Sequence, residues 1–199
     1  MSIARVKASS LTQGLPKRKT ILAGNETILP GSYESIATVT ASGGESSLSF
    51  TSIPSTYKHL QVRGIARTNR ASVEDQVRFR FNSDTSSNYA WHWLQGDGST
   101  AAAQSETTKV SAWSIEASAN NATASSFGAF VIDILDYASA NKTKTLRTLT
   151  GYDANGNGLI VLGSNLWYKA PEIISTITIA PIFGTSFSQY STFALYGIK

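Results

Sequence analysis

The chain has 199 residues, 41% of them hydrophobic and 15% charged, enough for one domain with a sizeable core and an appendage. It contains no cysteine, which excludes disulfide staples, thiolate chemistry and Cys-ligated zinc. The net charge of +4 is unevenly placed: residues 1–20 hold five bases and no acid, and the remaining 179 hold 12 bases and 13 acids. A uniformly basic nucleic-acid-binding fold is therefore not expected.

Residues 1–30 show no lasting period of 2 or 3.6. Arg5, Lys7, Lys17, Arg18 and Lys19 alternate with scattered apolar residues, among them Leu11 and Leu15. Such a segment cannot offset its own ordering entropy of roughly 1–2 kcal/mol per residue, so it is expected to be an extended arm that gains order against a partner. An extended peptide clamped on an acidic surface and hydrogen-bonding to a sheet edge fits it best. Interleaved aromatics for single-stranded nucleic acid and an apolar stripe for a membrane surface are both missing from it.

From residue 31 the chain reads as strands. Tyr33–Thr40 opens the series, Leu48 and Phe50 alternate with serines, and Leu60 and Val62 alternate with Gln61 and Arg63. Gly64 suggests a bulge. Val77, Phe79 and Phe81 face one way while Arg78, Arg80 and Asn82 face the other, the cleanest period of 2 in the chain. Tyr89, Trp91 and Trp93 follow on one face, with Ala90, His92 and Leu94 on the opposite one, before a turn at Gly96-Asp97-Gly98. Further strands are expected at Val110–Glu116, Phe127–Leu135, Lys144–Tyr152, Leu159–Tyr168, Ile173–Ala180 and Tyr190–Ile198. Ala101–Ala103 is too short to count as a helix. Ten or eleven short strands joined by polar turns predict an all-β domain over 31–199, a two-sheet antiparallel β-sandwich of jelly-roll type, preceded by an N-terminal arm over 1–30.

Few residues suggest chemistry. His59 and His92 lie in different strands without a local carboxylate, which makes a poor metal site. No G-x-S-x-G elbow occurs, and Asp133 alternates outward from Phe130, Ile132 and Ile134, so no catalytic residue and no cofactor are expected. Asp153-Ala-Asn155-Gly-Asn157-Gly158 imitates the start of a calcium loop, but the twelfth position is Ser164, and an Asn-Gly hairpin turn explains it without a metal. Tyr89, Trp91 and Trp93 permit two readings, core packing or an exposed aromatic platform for a glycan.

Three segments, GSYESIATVTASGGESSLSFTSIPSTYKHLQVRGIARTNR, VRFRFNSDTSSNYAWHWLQGDGST and STFALYGIK, resemble small virion proteins of tailed bacteriophages. The resemblance spans about residues 31–199 and implies a β-sandwich on the outer surface of a phage particle. Its members serve as capsid cement or decoration proteins, often trimeric, or as the distal part of tail fibres and spikes. The implied partners are the major capsid protein or other virion proteins, further copies of the chain, and in the fibre reading a host-surface glycan. Neither membrane insertion nor specific nucleic-acid binding is expected. Cement is favoured over fibre because no coiled-coil, collagen-like or β-helical shaft precedes the domain.

Overall fold

A computed structural model describes residues 32–169 and 171–199. The basic segment, with Arg5, Lys7, Leu11, Leu15, Lys17, Arg18 and Lys19, lies outside the described residues. The described chain is all β, with twelve strands: β1 (Tyr33–Thr40), β2 (Leu48–Phe50), β3 (His59–Ala66), β4 (Glu74–Phe81), β5 (Tyr89–Gly96), β6 (Ala101–Lys109), β7 (Ala112–Ser118), β8 (Gly128–Leu135), β9 (Lys144–Asp153), β10 (Gly158–Trp167), β11 (Ile177–Pro181) and β12 (Thr192–Ile198). They form two antiparallel sheets packed as a β-sandwich. One has eight strands in the order β1-β12-β3-β8-β9-β10-β5-β6, and the other has four in the order β2-β11-β4-β7. With the β5–β6 and β9–β10 hairpins set aside, these orders become β1-β12-β3-β8 and β2-β11-β4-β7.

Period-2 alternation explains most strands directly. In β4, Asp75, Val77, Phe79 and Phe81 are buried while Glu74, Gln76, Arg78 and Arg80 are not. The core between the sheets joins these to Leu60 and Val62 of β3, Ile132 and Ile134 of β8, and Phe193 and Leu195 of β12. Each fully buried aliphatic or aromatic side chain contributes about 1.5–3 kcal/mol by leaving water. Phe81, Tyr89 and Trp167 close one end as an aromatic cluster, with Tyr89 stacked on Trp167 at 6.2 Å.

Two strand-level expectations need correction. Strand β6 was not legible, because its nine residues are almost all exposed and neither face writes an apolar period. Gly64 makes no bulge: β3 runs in continuous register with β12 and β8. A Cβ at Gly64 would collide with the Thr192 carbonyl, so the glycine permits close approach of a neighbouring strand. The register shifts lie instead at Ser35/Ala37 of β1, at Val77/Arg78 between β4 and β7, and at Tyr89/Trp91 between β5 and β6.

The calcium-like segment is a hairpin turn. Asn155 and Gly156 have φ of 57° and 112°, and the Ala154 amide donates to the Asn157 carbonyl at 2.7 Å, which is a two-residue type I′ connection of β9 to β10. The Asp153 carboxylate accepts the Asn155 amide at 2.8 Å and so serves the turn itself.

Asp84, only 7% exposed, holds the aromatic end together. It accepts the Trp167 indole N–H at 2.7 Å, the Asn88 side-chain amide at 2.9 Å and the Ser86 backbone amide at 2.9 Å. Burial pushes its pKa up, but the hydrogen bonds from Asn88, Trp167 and Ser86 outweigh it and hold the carboxyl below its ordinary range. Replacing Asp84 with Ala strands the buried Trp167 N–H, and charge-assisted bonds of this kind contribute about 1.5–3 kcal/mol. We expect Asp84→Ala to lower unfolding stability by about 2–3 kcal/mol in urea titration, with the slope unchanged.

Candidate functional site

The geometry of β5 decides what the Tyr-Ala-Trp-His-Trp run can do. Tyr89 is fully buried, with its hydroxyl accepting the Phe81 amide at 3.1 Å and donating to the Asp84 carbonyl at 3.3 Å. It belongs to the core, the first of the two readings of this run, and takes no part in an exposed platform. Trp91 and Trp93 share its face but are half-buried. Their rings stack on each other with centroids 6.5 Å apart at 18°. Trp113 of β7, 4% exposed, packs against both at 6.0 Å.

The three indoles form a shelf where the smaller sheet ends. β7 is an edge of the four-stranded sheet and packs against β8, β9, β10 and β5 of the larger one. Its backbone is satisfied by side chains from the facing sheet. The Trp113 amide donates to Asn165 Oδ1 at 3.1 Å, the Glu116 amide donates to Thr150 Oγ1 at 3.0 Å, and Thr150 Oγ1 donates to the Glu116 carbonyl at 3.2 Å. Gly128 admits this contact, since a Cβ there would lie 2.5 Å from the Glu116 carbonyl oxygen.

Polar groups surround the indoles. Asn165 and Gly163 of β10 lie opposite Trp91 and Trp93, and Glu106 and Gln104 of β6 lie opposite them on the other side. Glu106 is paired with Lys109 at 2.9 Å. Under the shelf, Trp113 Nε1, Asn165 Nδ2 and Thr148 Oγ1 are buried without a hydrogen-bond partner among the described residues. A Cβ at Gly163 would sit 3.6 Å from the Trp113 ring and 3.8 Å from Asn165 Nδ2, and would collide with Thr148 Oγ1. Stacked indoles beside amides and a carboxylate are suited to the apolar faces and hydroxyls of a sugar ring.

The opposite face of β5 points His92 and Leu94 to solvent. They help line an open groove of about 620 Å³ together with Ala103, Ser105, Arg147 and Leu162. His92 is exposed, and His59 lies in β3, where its Nδ1 accepts the Asp136 amide at 2.9 Å. Among the described residues, no three His, Asp or Glu side chains cluster as metal ligands do.

Sequence reasoning placed Trp91 and Trp93 on one strand face but missed Trp113, Asn165 and Glu116. β7 is buried on both faces, Ile115, Glu116, Ala117 and Ser118 in unbroken succession, so no period marks which face each serves, and the register shift at Val77/Arg78 puts Trp113 out of phase with them. Glu116 is 2% exposed and accepts a hydrogen bond from Gln76 at 3.2 Å. Burial, reinforced by the nearby Glu74 carboxylate, pushes its pKa up to about 8 from an ordinary 4.5.

This shift has a direction in stability. Between those two values the folded protein keeps a proton that the unfolded chain has lost, so stability falls as pH rises through the window and levels off above about 8. We expect the melting temperature to decline from about pH 5 to about pH 8.5, and Glu116→Gln to remove much of that decline while changing little at the acid end. Equal slopes for both proteins would show that Glu116 is not the group responsible. No protein-family model, curated protein or solved structure matches the chain.

Proposed function

We propose that the chain is a structural protein of a bacteriophage particle, a capsid cement or decoration protein that fastens neighbouring shell subunits through its basic segment, residues 1–30. The observation that carries this reading is the strand order. Without the two inserted hairpins, the orders β1-β12-β3-β8 and β2-β11-β4-β7 are those expected for the two sheets of a jelly roll, which supports the reading. That architecture recurs in viral capsid domains and in lectins.

Charge supports the same reading. A segment whose first 20 residues carry five cations and no acid precedes a body that is nearly neutral, as expected for a module attached to an acidic shell by one short stretch. Repeated in a homotrimer, such weak contacts add as avidity. On this reading the protein acts at the outer surface of the virion, without catalysis or cofactor, and its partners are the major capsid protein or other virion proteins.

A second reading, a host-glycan-binding module of a tail fibre or spike, is favoured by the half-buried stack of Trp91 on Trp93. It no longer includes Tyr89.

Two measurements separate the readings. Deleting residues 1–30 should leave a folded β-domain, by circular dichroism, that no longer binds particles. Undiminished decoration by the shortened chain would overturn the attachment role. In glycan titrations, the second reading expects a shift in indole emission that Trp93→Ala abolishes, and a flat response across a glycan panel would remove it.

A further inference from the structure

The two outer faces of this sandwich obey different rules. The four-stranded sheet presents Glu74, Gln76, Arg78 and Arg80 of β4, Thr178 of β11 and Ser49 of β2, an ordinary polar face. The eight-stranded sheet does the opposite across its middle. Register aligns Ala103 of β6, Leu94 of β5, Leu162 of β10, Leu149 of β9 and Val131 of β8 in one cross-strand row. Leu94, Leu162 and Leu149 are 54%, 54% and 50% exposed. Two residues along the strands, a second row runs through Ile160, Ala129 and Ile65, of which Ile160 is 67% exposed. Single exposed apolar residues need no explanation, but two adjacent rows of them mark a surface that something covers.

We propose that a second copy of this chain packs on this face. The inference goes beyond the reading above, because a face that pairs with itself closes as a dimer and stands apart from the homotrimer. Three observations favour a like copy over an unlike partner.

Charge is sparse and self-complementary. The next row places Arg147 directly beside Asp133, so a copy related by symmetry can set its Asp133 against Arg147. Arg147 has no hydrogen bond or ion pair among the described residues, whereas Asp133 Oδ1 accepts the Gln61 amide at 2.6 Å.

Extent is sufficient. Six strands at about 4.8 Å spacing and three rows at about 7 Å give a projected footprint of roughly 500–600 Å². Accessible area exceeds projection, which brings the face near the ~800 Å² per partner of a stable interface.

Among the described residues, the sheet also ends at this side in a strand with no outer neighbour. β6 is nine residues long and exposed, and it contains no proline. Its two charges, Glu106 and Lys109, are paired with each other. By contrast, β7 is capped by Asn165 and Thr150, β2 has only three residues, and the bulge of β1 falls mid-strand, whereas that of β6 falls after Glu106 and leaves Ala101–Glu106 in unbroken register. An open strand edge beside an apolar face offers a second copy both hydrogen bonds and burial.

The test uses the full chain, by sedimentation velocity and native mass spectrometry over about 1–100 μM. The unaltered protein should form oligomers, and Leu162→Glu should weaken association about 30-fold or more, as for a central interface residue. Thr178→Glu, on the polar outer face of the other sheet, should change it by less than about 2-fold. Circular dichroism checks that each variant folds, and the milder pair Leu94→Gln and Leu149→Gln gives the same reading should the glutamate perturb the fold. A monomer at about 100 μM, or a folded Leu162→Glu that associates as the unaltered chain does, overturns the proposal. So does a monomer whose particle binding is lost on Leu162→Glu, which would assign the face to a shell protein. Particle binding by the chain lacking residues 1–30 is read separately, so failure of the attachment role leaves the association result intact.

Discussion

Four strands cannot cover eight, and the edge at which the smaller sheet stops organises the rest of this molecule. That edge is β7, whose backbone would be buried without partners if the facing sheet offered only aliphatic side chains. Asn165 and Thr150 stand at the required places and satisfy it. Burying a polar backbone group without a partner costs about 1–3 kcal/mol, so these two side chains allow the small sheet to terminate over the large one. Beyond that line the inner face of β5 needs another cover, and Trp91, Trp93 and Trp113 supply it by packing on one another. The half-exposure of Trp91 and Trp93 is the direct result.

A chain without cysteine must also hold its long loops by other means, and here charged side chains do it. Buried Asp75 accepts the Thr68 hydroxyl at 2.7 Å and the amides of Gln76, Phe183 and Gly184, which ties β4 to the segment after β11. Arg67 donates its guanidinium to the carbonyls of Asn120, Ala122, Thr123 and Ser126, closing the connection between β7 and β8. Lys144, 1% exposed, donates to the carbonyls of Ser139 and Lys142. Each is a charge that several backbone groups share, the arrangement in which burying an ion costs least.

The legible parts of the sequence were those where one face meets the core and the other meets water. β4, β8 and β9 show this alternation residue by residue, and their positions follow from period 2 alone. β6 has no buried face and therefore no period. Tyr89, Trp91 and Trp93 look equivalent in the sequence, but their burial depends on how far the other sheet reaches, which no local pattern records. Trp113 and Glu116 were hidden because β7 is buried on both faces and a bulge shifts its phase within the strand. The outer apolar rows were invisible for another reason: Leu149, Ile160 and Leu162 are scattered along two strands, and only cross-strand register gathers them.

The position of β12 carries a consequence for how the chain reaches this state. β12 lies between β1 and β3, hydrogen-bonded to both, although some 150 residues separate it from the first. Among the described residues β1 has no other partner in its sheet, so its docking waits for β12. Ordering of the earliest strand is thus deferred until Thr192–Ile198 is present, and pairing over such sequence separation is slow because the loop must close first. During synthesis β1 is left without this partner until β12 has cleared the ribosome, the interval in which this sandwich is most open to chaperones and to self-adhesion.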